Sequence, residues 1–127
     1  MLNDLIGLHY RWGGKPGDGT GTIDCFVLWA EVRRRFGFYD YSQDFDWAHE
    51  AYNEESLPPW FIPRWFLRNG KRIAAPEPFS IALFPAKHGS AVGTVLDDGR
   101  VVFISEENGV VIAPMPPSIG HYFRLNK

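Results

Sequence analysis

The hydrophobic pattern of this chain changes at Gly70, and the change limits the folds it can adopt. Before Gly70, apolar residues recur at the three- and four-residue spacing of amphipathic helices. After it, short strand-like runs alternate with tight turns. Helices followed by a block of strands predict an α+β fold, in which the N-terminal helices pack on an antiparallel sheet.

The strand-like half is divided by two strong turn signals, Asp97-Asp98-Gly99 and Asn108-Gly109. Both predict antiparallel hairpins, and Gly99 is expected to have a positive φ. The whole half predicts an antiparallel meander of about five or six strands. The predicted strand segments are 73–75, 81–84, 91–96, 100–105, 110–115 and 119–125.

The clearest predicted helix begins at Cys25. We expect Asp24 or Thr22 to cap it, the arginines at 33–35 to lie in solvent and offset the helix dipole, and Gly37 to follow its end. Its apolar stripe consists of Cys25, Leu28, Trp29, Val32 and Phe36. The last four should be buried against sheet residues drawn from Val92, Val95, Val102, Phe103 and Ile112.

Two further helices are predicted before Gly70. The first covers residues 43–55 with Ser42 as a possible cap, and the second covers residues 64–69. Residues 60–66 contain an aromatic cluster of four side chains: Trp60, Phe61, Trp65 and Phe66. The cluster could form a protein contact, or it could pack beneath the helices.

Composition argues against three classes of protein: nucleic-acid-binding proteins, membrane-spanning proteins and proteins with cysteine-rich metal sites. The 127 residues suit one domain, and a net charge of −2 argues against nucleic acid as the main partner. No apolar run is long enough to cross a membrane, and the first residues do not resemble a signal peptide. The lone cysteine, Cys25, rules out an internal disulfide and a cysteine-rich metal site, and we expect no cofactor.

Cys25 is the candidate functional residue. A thiol in the first turn of a helix experiences the positive end of the dipole, which favours the thiolate and therefore a nucleophile. The alternative is a small buried hydrophobic residue, the common role of a single cysteine.

The region around Cys25 combines a short motif with a glycine-rich gap: Tyr10, Trp12, Gly13 and Gly14 come first, and Asp24-Cys25 follows the gap. This arrangement resembles the NlpC-type cell-wall cysteine peptidases, small papain-like enzymes. Their typical pattern is a Gly-x-Pro-Tyr-x-Trp-Gly-Gly run and then Asp-Cys-Ser-Gly at the catalytic helix, so here His9 replaces the proline and Phe26 replaces the serine. Segments 92–99, 109–115 and 122–125 resemble the family's later strands. The resemblance implies a papain-type fold with an antiparallel sheet or half-barrel.

The resemblance also implies a damaged catalytic set. The family's general base precedes Val-Gly, where this chain has Ala91, and its third polar residue corresponds to Phe103. We therefore expect these two side chains to face Cys25, and neither can transfer a proton. Strand alternation points His88 to the opposite face unless Gly89-Ser90 forms a bulge.

The other three histidines, His9, His49 and His121, are weaker candidates for the base than His88. His49 belongs to the acidic second helix, and it is expected to be a surface or packing residue. A thiol packed against apolar groups should have its thiolate disfavoured and react slowly with alkylating reagents.

Three functions follow from this pattern. The first is a structural or interaction component, which the resemblance places in a bacteriophage tail tip or baseplate beside other structural proteins. Its location would be the virion tail, or the host cytoplasm before assembly. The second is an active peptidoglycan endopeptidase that uses Cys25 with His88 and contacts peptide stems through Tyr10, Trp12 and Asp24. The third is a small-ligand binder that has kept the groove.

Overall fold

Within residues 1–86, 89–115 and 120–127, which the computed structural model describes, the chain forms three helices and eight strands. The helices are α1 (Cys25–Arg35), α2 (Ser42–Ala51) and α3 (Phe61–Asn69). The strands are β1 (His9–Tyr10), β2 (Thr22–Ile23), β3 (Gly70–Ile73), β4 (Ile81–Ala86), β5 (Gly89–Val95), β6 (Val101–Ser105), β7 (Gly109–Ala113) and β8 (His121–Leu125). The α+β prediction is confirmed.

The main sheet of the described residues contains six strands in the order β3-β8-β4-β5-β6-β7, and all its neighbours are antiparallel. Both predicted hairpins are present, and Gly99 has a φ of 86°. The meander is only partly right, because β8 returns to lie between β3 and β4. A separate parallel pair, β1 and β2, was not predicted, since each strand has only two residues.

The helices begin and end for local reasons. Asp24 caps α1 as predicted, and its side chain accepts a hydrogen bond from the backbone N–H of Phe26. Helix α2 ends at Ala51, before the predicted 55, because Tyr52 is extended. Helix α3 begins earlier than predicted and includes Pro63, which the first turn tolerates because an N–H there has no helical partner.

The prediction that all three arginines at the end of α1 lie in solvent is wrong for Arg33, which is buried. Its Nε donates to the carbonyl of Phe79 at 3.3 Å and its Nη2 to that of Lys127 at 2.7 Å. Its guanidinium carbon also lies 4.8 Å from the ring centre of Phe38. Arg33 thus ties α1 to the C-terminal end of this chain.

The main core lies between the helices and one face of the sheet. Phe26, which stands where the family pattern has serine, is at its centre. Ring centres within 6.3 Å of Phe26 belong to Trp29, Phe45, Phe61, Trp65 and Phe66. The aromatic cluster at 60–66 is therefore mostly packing: three of its four members are buried, and Trp60 alone is exposed.

The two faces of the sheet carry different clusters. Val92 and Val102 belong to the cluster that includes α1, as predicted, with Ile112 packed against it. Val95 lies in the second cluster, with Phe103 packed against it. The predicted burial of α1 against the sheet is therefore met by Val92, Val102 and Ile112, whereas Val95 and Phe103 face the other side because successive strand residues alternate.

Candidate functional site

The site is built around Asp24, whose side chain is fully buried at the start of α1. Its Oδ1 accepts from the N–H of Phe26 at 2.8 Å and its Oδ2 from the N–H of Gly13 at 3.0 Å. The backbone N–H of Asp24 donates to the carbonyl of Gly14 at 2.9 Å. One carboxylate therefore joins the Trp12-Gly13-Gly14 segment to the head of the helix.

Gly14 is required by a close approach of backbone. A Cβ at this position would lie 2.9 Å from Thr22 Oγ1 and 3.1 Å from the backbone nitrogen of Ile23. The approach is fixed by β1 and β2, which pair His9 with Thr22 and Tyr10 with Ile23. The glycine-rich segment is thus a closed loop with both ends at the site.

The surroundings of the partly buried Cys25 oppose formation of a thiolate. Burial raises the pKa of the thiol well above its usual range, and the negative charge of Asp24 raises it further. The backbone N–H groups of Phe26 and Cys25 act in the opposite direction but do not prevail. The direction agrees with the expectation for a thiol packed against apolar groups. The contribution of Asp24 was not foreseen.

Tyr10 and Glu54 complete the surroundings of the thiol. The pKa of the Tyr10 hydroxyl is raised, first by burial and then by the negative charges of Cys25, Asp24 and Glu54. The Tyr10 hydroxyl therefore remains neutral, and its hydrogen-bond partner is Glu54. Glu54 also raises the pKa of the thiol. Acidic groups beside Cys25 oppose formation of a thiolate.

The structure places His49 at the site, a position that the sequence did not predict. Its Nε2 lies 3.3 Å from Asp24 Oδ2, and its ring centre lies 4.8 Å from that of Trp12. Its Nδ1 is buried and has no hydrogen-bond partner among the described residues. One signal was available, since His49 follows Phe45 by four residues and so shares its buried helix face.

Trp12 connects the glycine-rich loop to α2 through two contacts. Its indole N–H donates to the carbonyl of Tyr52 at 3.2 Å, just past the end of the helix. With the ring against His49, this contact makes Trp12 a packing residue of the site. Both carboxylate oxygens of Asp24 likewise accept hydrogen bonds from backbone N–H groups within the chain.

The predicted placement of Ala91 and Phe103 opposite Cys25 is wrong. Ala91 pairs with Phe84, whose ring centre is 5.2 Å from that of Phe103, and both aromatic rings pack on the sheet face away from α1. The face towards α1 carries Val92 and Thr94 on β5. Sequence alternation identified residues 91 and 103 as sharing a face, but not which face it was.

The remaining predicted candidates are spread over the chain. His88, the proposed substitute base, lies outside the described residues. His9 and His121 are exposed on β1 and β8.

The described part of the chain provides neither a cluster of metal ligands nor a helix that could cross a membrane. Over residues 1–86, 89–115 and 120–127, no group of three or more histidine, cysteine, aspartate or glutamate side chains is arranged to hold a metal ion. Among the helices described, none is both long and apolar enough to span a bilayer.

Neither a scan against protein-family models nor a search of curated proteins finds a match to this chain.

Proposed function

We propose that this chain is a catalytically impaired NlpC-like domain of papain type that acts as a structural or interaction component of a larger assembly. The observation that carries the proposal is the state of Cys25. Burial raises the pKa of its thiol, and among the described residues the charged groups Asp24 and Glu54, both acidic, raise it further.

The assembly of the matched residues supports the resemblance on which this proposal depends. The loop that contains Trp12, Gly13 and Gly14 is hydrogen-bonded to Asp24, directly before Cys25. Tyr10 lies close enough for the charge of Cys25 to affect its hydroxyl. Residues far apart in the motif therefore form one compact unit at the head of α1.

The chemistry supports the loss of activity. A cysteine nucleophile needs a thiolate, which a neighbouring imidazolium or other cation stabilises. His49 lies at this site with its Nε2 3.3 Å from Asp24 Oδ2, but among the described residues no hydrogen bond joins the Cys25 sulfur to an imidazole. Loss of a positioned general base alone costs about 100- to 10,000-fold in rate.

The interaction role is supported by the surface near the site. Trp47 and Trp60 are 50% and 55% exposed, unusually high for large aromatic side chains. The location in a phage tail tip or baseplate, or in the host cytoplasm before assembly, follows from the resemblance.

The decisive experiment measures release of stem peptides from purified peptidoglycan. Wild type and Cys25→Ala should release equal, background amounts. Hydrolysis by the wild type that is lost in Cys25→Ala would overturn the proposal. If it is also lost in His88→Ala but kept in the exposed control His121→Ala, it would establish an active endopeptidase with His88 as the base.

A further inference from the structure

One segment of this chain has a charge unlike the rest. Residues 36–63 contain six acidic residues and no lysine or arginine. The remainder therefore holds all 13 basic residues and nine of the 15 acidic ones, a net charge of +4 against −6 for the segment. The acidic residues are Asp40, Asp44, Asp46, Glu50, Glu54 and Glu55.

None of these carboxylates forms an ion pair among the described residues, although the charge of Asp40 acts on Arg34 and Asp44 accepts a hydrogen bond from the Tyr39 hydroxyl. Every ion pair found among the described residues lies elsewhere in the chain or involves Asp24. On α2, Asp46 and Glu50 are exposed and separated by four residues. Like charges at this spacing face each other and destabilise a helix, so the arrangement is unfavourable for the isolated chain.

Rigid aromatic side chains lie among these carboxylates. The indole N–H of Trp47 donates to the carbonyl of Asp44 at 3.0 Å, which fixes the orientation of the ring. The ring centre lies 5.6 Å from that of Phe61 and 6.4 Å from that of Tyr52. One side of the Trp47 ring therefore packs on Phe61 and Tyr52, while half of its surface remains exposed.

The neighbouring Trp60 shows which chemistry suits such a ring. The guanidinium carbon of Arg64 lies 5.5 Å from the centre of the Trp60 ring. Arginine stacks on indole and forms bidentate contacts with carboxylates, whereas lysine is a more strongly hydrated point charge. The half-exposed indole of Trp47 has the exposed Asp46 beside it in sequence and the exposed Glu50 one helical turn further on. It therefore complements arginine both by stacking and by charge.

We propose that Trp47 and Tyr52, with Asp46, Glu50 and Glu54, form a docking surface for an arginine-bearing segment of a partner protein. We call it the acidic aromatic surface. The inference names partner chemistry for the interaction role proposed above and rests on that role. Its test is a binding measurement, so its failure would be distinct from a finding that the chain hydrolyses peptidoglycan.

The test is fluorescence anisotropy with a labelled peptide of alternating arginine and serine, in about 0.1 M salt. Wild type should bind it more tightly than the matching lysine peptide. Trp47→Leu, which keeps an apolar side chain but removes the ring, should weaken binding about tenfold. The double variant Asp46→Asn, Glu50→Gln should weaken it by a similar factor and should fold normally, because it removes a like-charge pair.

The charge-matched control is Glu106→Gln, Glu107→Gln, two exposed carboxylates in the β6–β7 turn. It should bind as wild type does. The proposal is overturned if the peptide does not bind, or if this control loses as much affinity as the α2 variant. Self-association abolished by Trp47→Leu, or binding of a chitin oligosaccharide that is unaffected by the α2 variant, would assign the surface to another occupant and also overturn it.

Discussion

Replacement of Asp24 by alanine should destabilise the protein far more than an ordinary loop substitution. Asp24 accepts from the backbone N–H groups of Phe26 and Gly13 at 2.8 and 3.0 Å, and it is completely buried. Loss of a helix N-cap costs about 1 kcal/mol, and a buried N–H left without a partner costs about 1–3 kcal/mol. Together these predict a decrease of about 3 kcal/mol in the free energy of unfolding.

The chain offers a matched control in Asp18. Its carboxylate also accepts from two backbone N–H groups, those of Lys15 and Thr20, at 3.1 and 3.0 Å, but this site is exposed. Water replaces the lost contacts there, so Asp18→Ala should cost less than about 1 kcal/mol. Urea unfolding followed by circular dichroism measures both variants. Equal losses for Asp24→Ala and Asp18→Ala would refute the buried-cap reasoning.

Three further predictions concern stability. Arg33→Met should lower the free energy of unfolding by about 2 kcal/mol, because two carbonyls lose their donor, while the exposed Arg34→Met should cost less than about 1 kcal/mol in the same urea assay. Gly14→Ala should cost about 1–3 kcal/mol in thermal unfolding, because its Cβ would lie 2.9 Å from Thr22 Oγ1; an unchanged midpoint would contradict the close approach. Because the pKa of the Cys25 thiol is raised in the folded state, the unfolded chain loses this proton at a lower pH. The free energy of unfolding should therefore fall as the pH rises above about 8.5, the pKa of a free thiol. Cys25→Ala should remove that fall in urea titrations between about pH 7.5 and 9.5, and a decline that persists unchanged in the variant would contradict it.

Local sequence signals predicted the head of the site well. Asp24 as the cap of α1 and Gly99 in its turn depend on neighbours within a few residues, so composition and spacing suffice. The error over Ala91 and Phe103 has a different origin. Alternation assigns residues to two faces, but only packing decides which face meets the helix.

Non-local contacts were the part that the sequence could not supply. His49 reaches Asp24 across 25 residues of chain, and Arg33 contacts Lys127 across 94. The helix dipole predicts a solvent-exposed Arg33 only for an isolated helix. In the folded chain, the C-terminal segment and the ring of Phe38 cover this side chain. Likewise, the helix dipole alone favours a Cys25 thiolate, and burial with a buried carboxylate beside it reverses the sign.

Whether the Cys25 thiol is activated can be measured by its titration. The rate of alkylation by iodoacetamide should be measured against pH for the folded protein and for the same chain in urea. The folded chain should react more slowly than the unfolded one at every pH, with a midpoint above the ordinary thiol value of about 8.5. A folded-state midpoint below about 7.5, with faster reaction than in urea at neutral pH, would show an activated nucleophile and refute the impaired-enzyme proposal.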